Sequence, residues 1–181
     1  LAHAEKANAI SPHQHGSRKR HKAINTCLNE HLLCDISRQT RRSLAFAMND
    51  AKGCYDRVSH SMAILVLMCF GLPQRVSQVL FTTLQQSNHH IATGYGRSGV
   101  AYGNLPIPLM GIGQGNGLGP TLWALLSTIL LNMMALAGHG VRLRSSVTGS
   151  QLNLIGFSFV DDTDLVTAGR ATSSGEDISQ D

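Results

Sequence analysis

The stretch Leu152-Asn153-Leu154-Ile155-Gly156-Phe157-Ser158-Phe159-Val160-Asp161-Asp162-Thr163-Asp164-Leu165-Val166-Thr167 decides how this chain folds. Apolar, aromatic and β-branched residues flank two adjacent acids, a composition that favours strands on either side of a turn. It predicts a strand over 152–160, a turn at Asp161-Asp162 and a returning strand over 163–167. Asp is common in turns, so a plain hairpin is the simpler account of an isolated acid pair. Two carboxylates held this close nevertheless repel and resist joint ionisation. A hard divalent cation such as magnesium removes that cost, and oxygen ligands on rigid strand ends suit it.

Upstream, Ser43 to Met48 alternates in part and stops at Asn49-Asp50, which predicts a second strand ending in an acid. If the two strand ends are neighbours in one sheet, Asp50, Asp161 and Asp162 converge. Three carboxylates there can hold two magnesium ions, and ions roughly 3.5–4 Å apart support in-line phosphoryl transfer. Asp56 and Asp164 lie nearby in sequence and read as local capping or hydrogen-bonding residues.

Helical signals fill the remainder. Ile24, Cys27, Leu28, Leu32 and Ile36 predict a helix over 22–40, and the apolar run 60–70 a second. Gly71-Leu72-Pro73 breaks that run, and Pro73 opens a third helix to about Gln86. Residues 89–105, with four interspersed glycines, read as a β-ribbon. Glycines then stand at every second position from Gly111 to Gly119, ahead of Pro120 and an apolar helix from Thr121 to Ala137. A backbone without Cβ atoms permits close approach to a ligand, and Gln114 is its one large polar side chain. No GxGxxG register or Walker lysine accompanies it. The apolar helix contains Ser127, Thr128 and Asn132 and falls short of the roughly 20 apolar residues of a membrane span, so it reads as a core helix, with no membrane partner. The element order predicts an α+β domain, an antiparallel sheet with helices packed on one face.

Composition agrees with a folded domain: 181 residues, 43% hydrophobic and 14% charged, exclude wholesale disorder. Cys27, Cys34, Cys54 and Cys69 form no CxxC pair and are too few for a disulfide scaffold, which points to a reduced, intracellular chain in nucleus or cytoplasm. No basic-then-apolar leader appears, so secretion is not expected. The net charge of +4 is concentrated in residues 1–60, which hold ten Lys/Arg against five Asp/Glu. Such a segment suits a polyanion, although a solvated charged face accounts for charge alone.

Three segments together resemble the palm of a reverse transcriptase of the non-LTR retrotransposon type. Asp50-Ala51-Lys52-Gly53-Cys54-Tyr55-Asp56-Arg57-Val58 resembles its first palm motif, an acid followed five positions later by an aromatic residue. Gln114-Gly115-Asn116-Gly117-Leu118-Gly119-Pro120 resembles the second, and Phe159-Val160-Asp161-Asp162 the third, the aromatic-x-Asp-Asp hairpin. They occur in the family's order, and the likeness covers about residues 14–168.

The resemblance implies RNA-directed DNA polymerase activity, with two Mg2+ ions (or Mn2+) and with RNA template, DNA primer and dNTP as partners. Asp50, Asp161 and Asp162 would be catalytic metal ligands, and the Ala51 carbonyl would face the nucleotide metal. Tyr55 would exclude a 2′-hydroxyl, while Gln114 and Gly115 would lie against the incoming nucleotide. Gln14, Gly16, Arg18 and Ile24 match the segment that enters the palm, which would place Arg18, Lys19, Arg20 and Lys22 on template phosphates. The implied organisation is a basic lead-in and joining helix over 1–42, a palm over 43–170 and a disordered tail over 171–181. Fingers and thumb would be largely missing, as in a fragment of a larger polyprotein. Gly119 departs from the family's usual Ser, Arg20 from a common Gly and Asn25 from a common acid. An RNA-dependent RNA polymerase palm and a non-catalytic nucleic-acid-binding relic are the alternatives.

Overall fold

In chain order the elements are α1 (Ala2–Lys6), α2 (Ala23–Thr40), β1 (Leu44–Asp50), α3 (His60–Cys69), α4 (Gln74–Gln85), β2 (Ala92–Thr93), β3 (Gly96–Arg97), α5 (Leu118–Leu136), β4 (Val141–Arg144), β5 (Gln151–Leu154), β6 (Gly156–Phe159) and β7 (Asp162–Ala168). The computed structural model describes residues 1–103, 109–113 and 115–169. The sheets are antiparallel and mixed with helices, an α+β chain. The chain forms two compact units, one of Leu1–Lys52 with the chain from Trp123 onward, the other of Gly53–Leu122.

The first unit is built on a three-stranded sheet in the order β1-β7-β6. β1 pairs with β7 from Leu44 opposite Ala168 to Asp50 opposite Asp162, and β6 pairs with β7 from Gly156 opposite Leu165 to Phe159 opposite Asp162. Opposed residues share a face and neighbours alternate. One face therefore carries Leu44, Phe46, Met48, Asp50, Phe157, Phe159, Asp162, Asp164, Val166 and Ala168. Its apolar part closes a core of Leu33 from α2, Val141 from β4, Phe157 and Val166, with Leu44, Phe46, Leu143, Leu154 and Ala168 around it. The opposite face carries Ser158 and Thr163, both buried. There Gln14 connects Ser158 to Ser127 of α5. The expectation of helices on one face is thereby corrected: α2 lies on one side of β6 and α5 is reached from the other. The alternation of Phe157 and Ser158 requires a different neighbour for each.

In the second unit, α3 and α4 hold the glycine-rich loop. His60 Nε2 donates to the Gly111 carbonyl, so its Nδ1 is the acceptor for Gln85 Nε2 at 2.6 Å. The Gln85 amide also brackets Leu109, with its Nε2 2.6 Å from the carbonyl and its Oε1 2.9 Å from the N–H. At Gly111, φ is +85° and an added Cβ would lie 2.6 Å from the Asp56 Cα, so only glycine fits.

Several expectations change on comparison. The single strand over 152–160 is two strands interrupted at Ile155, because β5 pairs with β4 and β6 pairs with β7. β4 was not foreseen, and neither was α1. The ribbon is shorter than 89–105, reduced to β2 and β3 with a bridge from His89 to Tyr102. α5 begins at Leu118, before the glycine and proline expected to precede it. By length and composition alone α5 could cross a membrane, but Leu122, Ala124, Leu125, Ser127, Thr128 and Leu131 are buried within the fold. The stripe that announced α2 faces outward: Ile24, Leu28 and Leu32 are exposed, while Thr26, Leu33 and Ser37 form the buried face. The four cysteines are free thiols. The tail from Ala171 lies outside the described residues.

Phe157 is 3% exposed at the centre of this core, whereas Leu152, three residues before Ile155, is 54% exposed. Phe157→Ala is expected to lower unfolding free energy by about 3–5 kcal/mol, and Leu152→Ala by roughly 0.5 kcal/mol or less. Denaturant titration of the two variants checks the contrast.

Candidate metal centre and nucleic-acid interface

The acidic edge is assembled by register. Asp50 ends β1 directly opposite Asp162, and two residues further in Met48 stands opposite Asp164. Residues so opposed have Cβ atoms about 4.5–5.5 Å apart, so the Asp50 and Asp162 carboxylates start from neighbouring positions on one face. Asp161 lies in the two-residue turn between Phe159 and Asp162. Asp50 and Asp162 are exposed and Asp161 half-buried. Ala51 is half-buried just past the strand end, where the Lys52 N–H donates to the Asp50 carbonyl at 3.0 Å.

Two acids join this face that the sequence reading did not place there. Asp164, read as a local hydrogen-bonding residue, is two positions from Asp162 on the same face. Its carboxyl is pushed above the ordinary range by burial and by the Asp162 charge. Glu30 on α2 lines, with Asp50, Asp162 and Asp164, a cleft of about 390 Å³ floored by Met48, Phe157 and Phe159. The sequence signal for Asp164 was its even spacing from Asp162 on a strand. Glu30 had none, since its place depends on how α2 crosses the sheet.

The donor set is all carboxylate oxygen, which matches a hard divalent cation. Among the described residues, no group of three or more His, Cys, Asp or Glu side chains stands in a ligating arrangement. Fit therefore rests on donor chemistry and register, with side-chain reorientation needed to gather the ligands.

The turn itself is unusual. Val160 has φ of 58°, a left-handed conformation that a β-branched residue rarely adopts. It is gripped from three places. Trp123 Nε1 donates to its carbonyl at 2.6 Å, and Gln14 Nε2 lies 3.3 Å from the same oxygen. The Val160 N–H points to Gln14 Oε1 at 3.3 Å. Gly16 presses on it so closely that an added Cβ would fall 2.1 Å from the Val160 nitrogen. Trp123 reaches the turn from α5, a contact that no local sequence signal marks.

The basic segment divides. Arg18 is turned inward: its guanidinium pairs with Glu5 at 3.4 Å and donates to the carbonyls of Ser11 and Gln14 at 3.1 and 3.0 Å. Its Nε and Nη1 donors thus brace the 11–18 segment from within the chain. Lys19, Arg20 and Lys22 are exposed. Beside them, the His15 and His21 Nδ1 atoms approach to 3.2 Å. Burial lowers the pKa of His13, His15 and His21, with the neighbouring His21, Arg18 and His13 charges adding to the effect on His15.

Of the expected nucleotide contacts, Gln114 lies outside the described residues. Gly115 is exposed at φ of 85°. Tyr55 is half-buried, and its carbonyl accepts from the Ile112 N–H at 2.9 Å. Its ring lies beside Gly119, where an added Cβ would sit at ordinary contact distance of 3.6 Å, so a Ser there would fit. No family model and no curated protein matches the chain.

The titrations carry opposite signs. A lowered histidine pKa means the unfolded chain binds more protons, so stability is lost as pH falls through the ordinary histidine range near 6.5. A raised Asp164 means the folded chain binds more protons, so stability is lost as pH rises through that carboxyl's range. In chelator at neutral pH, Asp164→Asn is expected to melt above wild type. Thermal melts from pH 4 to 8 test both slopes.

Proposed function

We propose that this chain is the palm of an RNA-directed DNA polymerase similar to those of non-LTR retrotransposons. The reading is carried by one observation: Asp50 and Asp162, from segments far apart in sequence, are directly opposed at the end of one ladder, next to the turn holding Asp161. Like charges opposed on a sheet destabilise it. A bound cation is the simplest chemical reason for such an arrangement. Asp50, Asp161 and Asp162 would hold Mg2+ or Mn2+, with the Ala51 carbonyl assisting. The chemistry such a pair supplies when bound is activation of an attacking oxygen and stabilisation of a leaving one.

The chain's own residues then position the reactants. Lys19, Arg20 and Lys22 meet template phosphates, which orient a nucleic acid without reading its sequence. Tyr55 packs under the incoming sugar and disfavours a ribose, and Gln114 and Gly115 line the nucleotide. The reaction joins a deoxynucleotide to a primer 3′-hydroxyl on an RNA template and releases pyrophosphate. Catalysis of this kind is mostly positioning and charge stabilisation.

A second reading, RNA binding without catalysis, is supported by the exposed Lys19, Arg20 and Lys22. It predicts salt-dependent binding that is indifferent to magnesium.

Two experiments separate the readings. Calorimetric titration with MnCl2 is expected to show binding that Asp50→Ala and Asp161→Ala each abolish; retention of wild-type affinity in both would remove the metal assignment. Primer extension on RNA, by this chain joined to finger and thumb segments, is expected to fail in Asp161→Ala. In the same assay Tyr55→Ala is expected to raise ribonucleotide incorporation, and an RNA polymerase would show no such change.

A further inference from the structure

Gln14 has no exposed surface, and its side-chain amide contacts five polar groups. Its Nε2 lies 2.8 Å from Ser127 Oγ, 2.9 Å from Ser158 Oγ and 3.3 Å from the Val160 carbonyl. Its Oε1 accepts from the Gly16 N–H at 2.7 Å and from the Val160 N–H at 3.3 Å. One amide thus faces both backbone polar groups of Val160, the residue held at positive φ. An amide has two N–H donors, so three acceptors around Nε2 share them, and none is left to water.

The surroundings make this grip rigid. Ser158 Oγ lies 2.9 Å from Thr163 Oγ1 on β7, which extends the network across both hairpin strands. The backbone beside Gln14 bridges in parallel to the free edge of β6: the His15 N–H donates to the Ser158 carbonyl at 2.8 Å, and the Ser158 N–H to the His13 carbonyl at 2.9 Å. On the other side, Ser11 N–H donates to Thr128 Oγ1 of α5 at 3.1 Å. The 11–16 segment is therefore tied independently to β6 and to α5, and Gln14 is the member that reaches the turn.

We propose that Gln14 is a positioning residue that selects the left-handed conformation of Val160 and thereby sets the direction of Asp161 relative to Asp162. The proposal rests on the metal-binding reading only for its functional consequence; the control of the turn stands by itself. A two-residue turn free to choose its conformation would leave Asp161 without a defined direction. With Gln14 in place, the amide satisfies the N–H and C=O that the left-handed residue presents outside the ladder. The same segment continues through Arg18 into Lys19, Arg20 and Lys22. A nucleic acid seated on those three side chains would press on the segment that holds the acidic turn.

The test compares Gln14→Met, which keeps length and apolar volume, with Thr128→Val, which frees the other tether of the segment without touching the turn. Trp123→Phe, which removes the indole donor to Val160 together with part of the ring, covers the case that Gln14→Met does not fold. Backbone resonances and amide exchange of Val160 and Asp161 are measured in chelator on the full chain, with MnCl2 titrated afterwards. Gln14→Met is expected to speed exchange at both amides by about tenfold or more, as loss of a buried hydrogen-bonded pair does. It is also expected to weaken Mn2+ broadening of Asp161 and Asp162 by a similar factor. Trp123→Phe should do the same to a smaller degree, and Thr128→Val should leave both readouts at wild type while lowering the melting temperature. Unchanged shifts and exchange at Val160 and Asp161 in a folded Gln14→Met would overturn the proposal, as would equal effects from Thr128→Val. If wild type shows no Mn2+ broadening, the two-cation reading fails, and the exchange data in chelator still decide what Gln14 does.

Discussion

Val160 stands in the left-handed region, where a non-glycine residue costs of order 1–3 kcal/mol and survives only if its surroundings over-determine it. Here they do: the Gln14 amide, the Trp123 indole and the Gly16 backbone all close on that one residue. The consequence is a two-residue turn, Val160-Asp161, joining strands in which Phe159 is opposed to Asp162. A longer or slipped turn would shift β7 by a residue. Every acid on it would then move to the other face, since strand side chains alternate. The placement of Asp162 and Asp164 beside Asp50 therefore depends on a conformation that the hairpin does not hold alone.

The acidic face is costly for the same reason that it is informative. Asp50 and Asp162 are opposed, and the charge on Asp162 together with partial burial raises Asp164. Glu30 adds a fourth carboxylate to the cleft. Nothing in the apolar core requires this: Leu33, Val141, Phe157 and Val166 pack further along the same face without any acid. A strand end built only for stability would carry mixed charges or neutral polar residues. The face is thus divided into an apolar part, where α2 and β4 cover the sheet, and an acidic end that accumulates repulsion.

How much was legible in the sequence follows from which interactions are local. The helices over 60–69 and 74–85 were readable because Gly71-Leu72-Pro73 punctuates them, and the hairpin because its acids interrupt two apolar runs. The meeting of Asp50 with Asp162 was inferred from strand ends alone. Ile155 looked continuous with its neighbours, yet the chain changes partners there, leaving β4 for β7, and apolar alternation carries no mark of a partner change. The outward turn of Ile24, Leu28 and Leu32 shows the same limit. Periodicity identifies a helix, but which face is covered depends on packing, and here the face with Thr26, Leu33 and Ser37 is the buried one.

The polar grip on the turn was beyond any local reading, because its partners lie 146 residues apart for Gln14 with Val160 and 37 for Trp123 with Val160. Gln14 stood in a histidine- and serine-rich stretch without periodicity, where a glutamine is ordinarily solvated. Arg18 shows how the burial arises. By pairing with Glu5 and holding the Ser11 and Gln14 carbonyls, it folds the segment back on itself and presents the Gln14 side chain to the sheet. Charge in residues 11–22 is accordingly of two kinds. Arg18 is braced within the chain through Nε and Nη1, whereas Lys19, Arg20 and Lys22 are exposed. One short segment thus connects the exposed basic side chains with the turn beside the acids, and the two are joined through the backbone between Gln14 and Lys19.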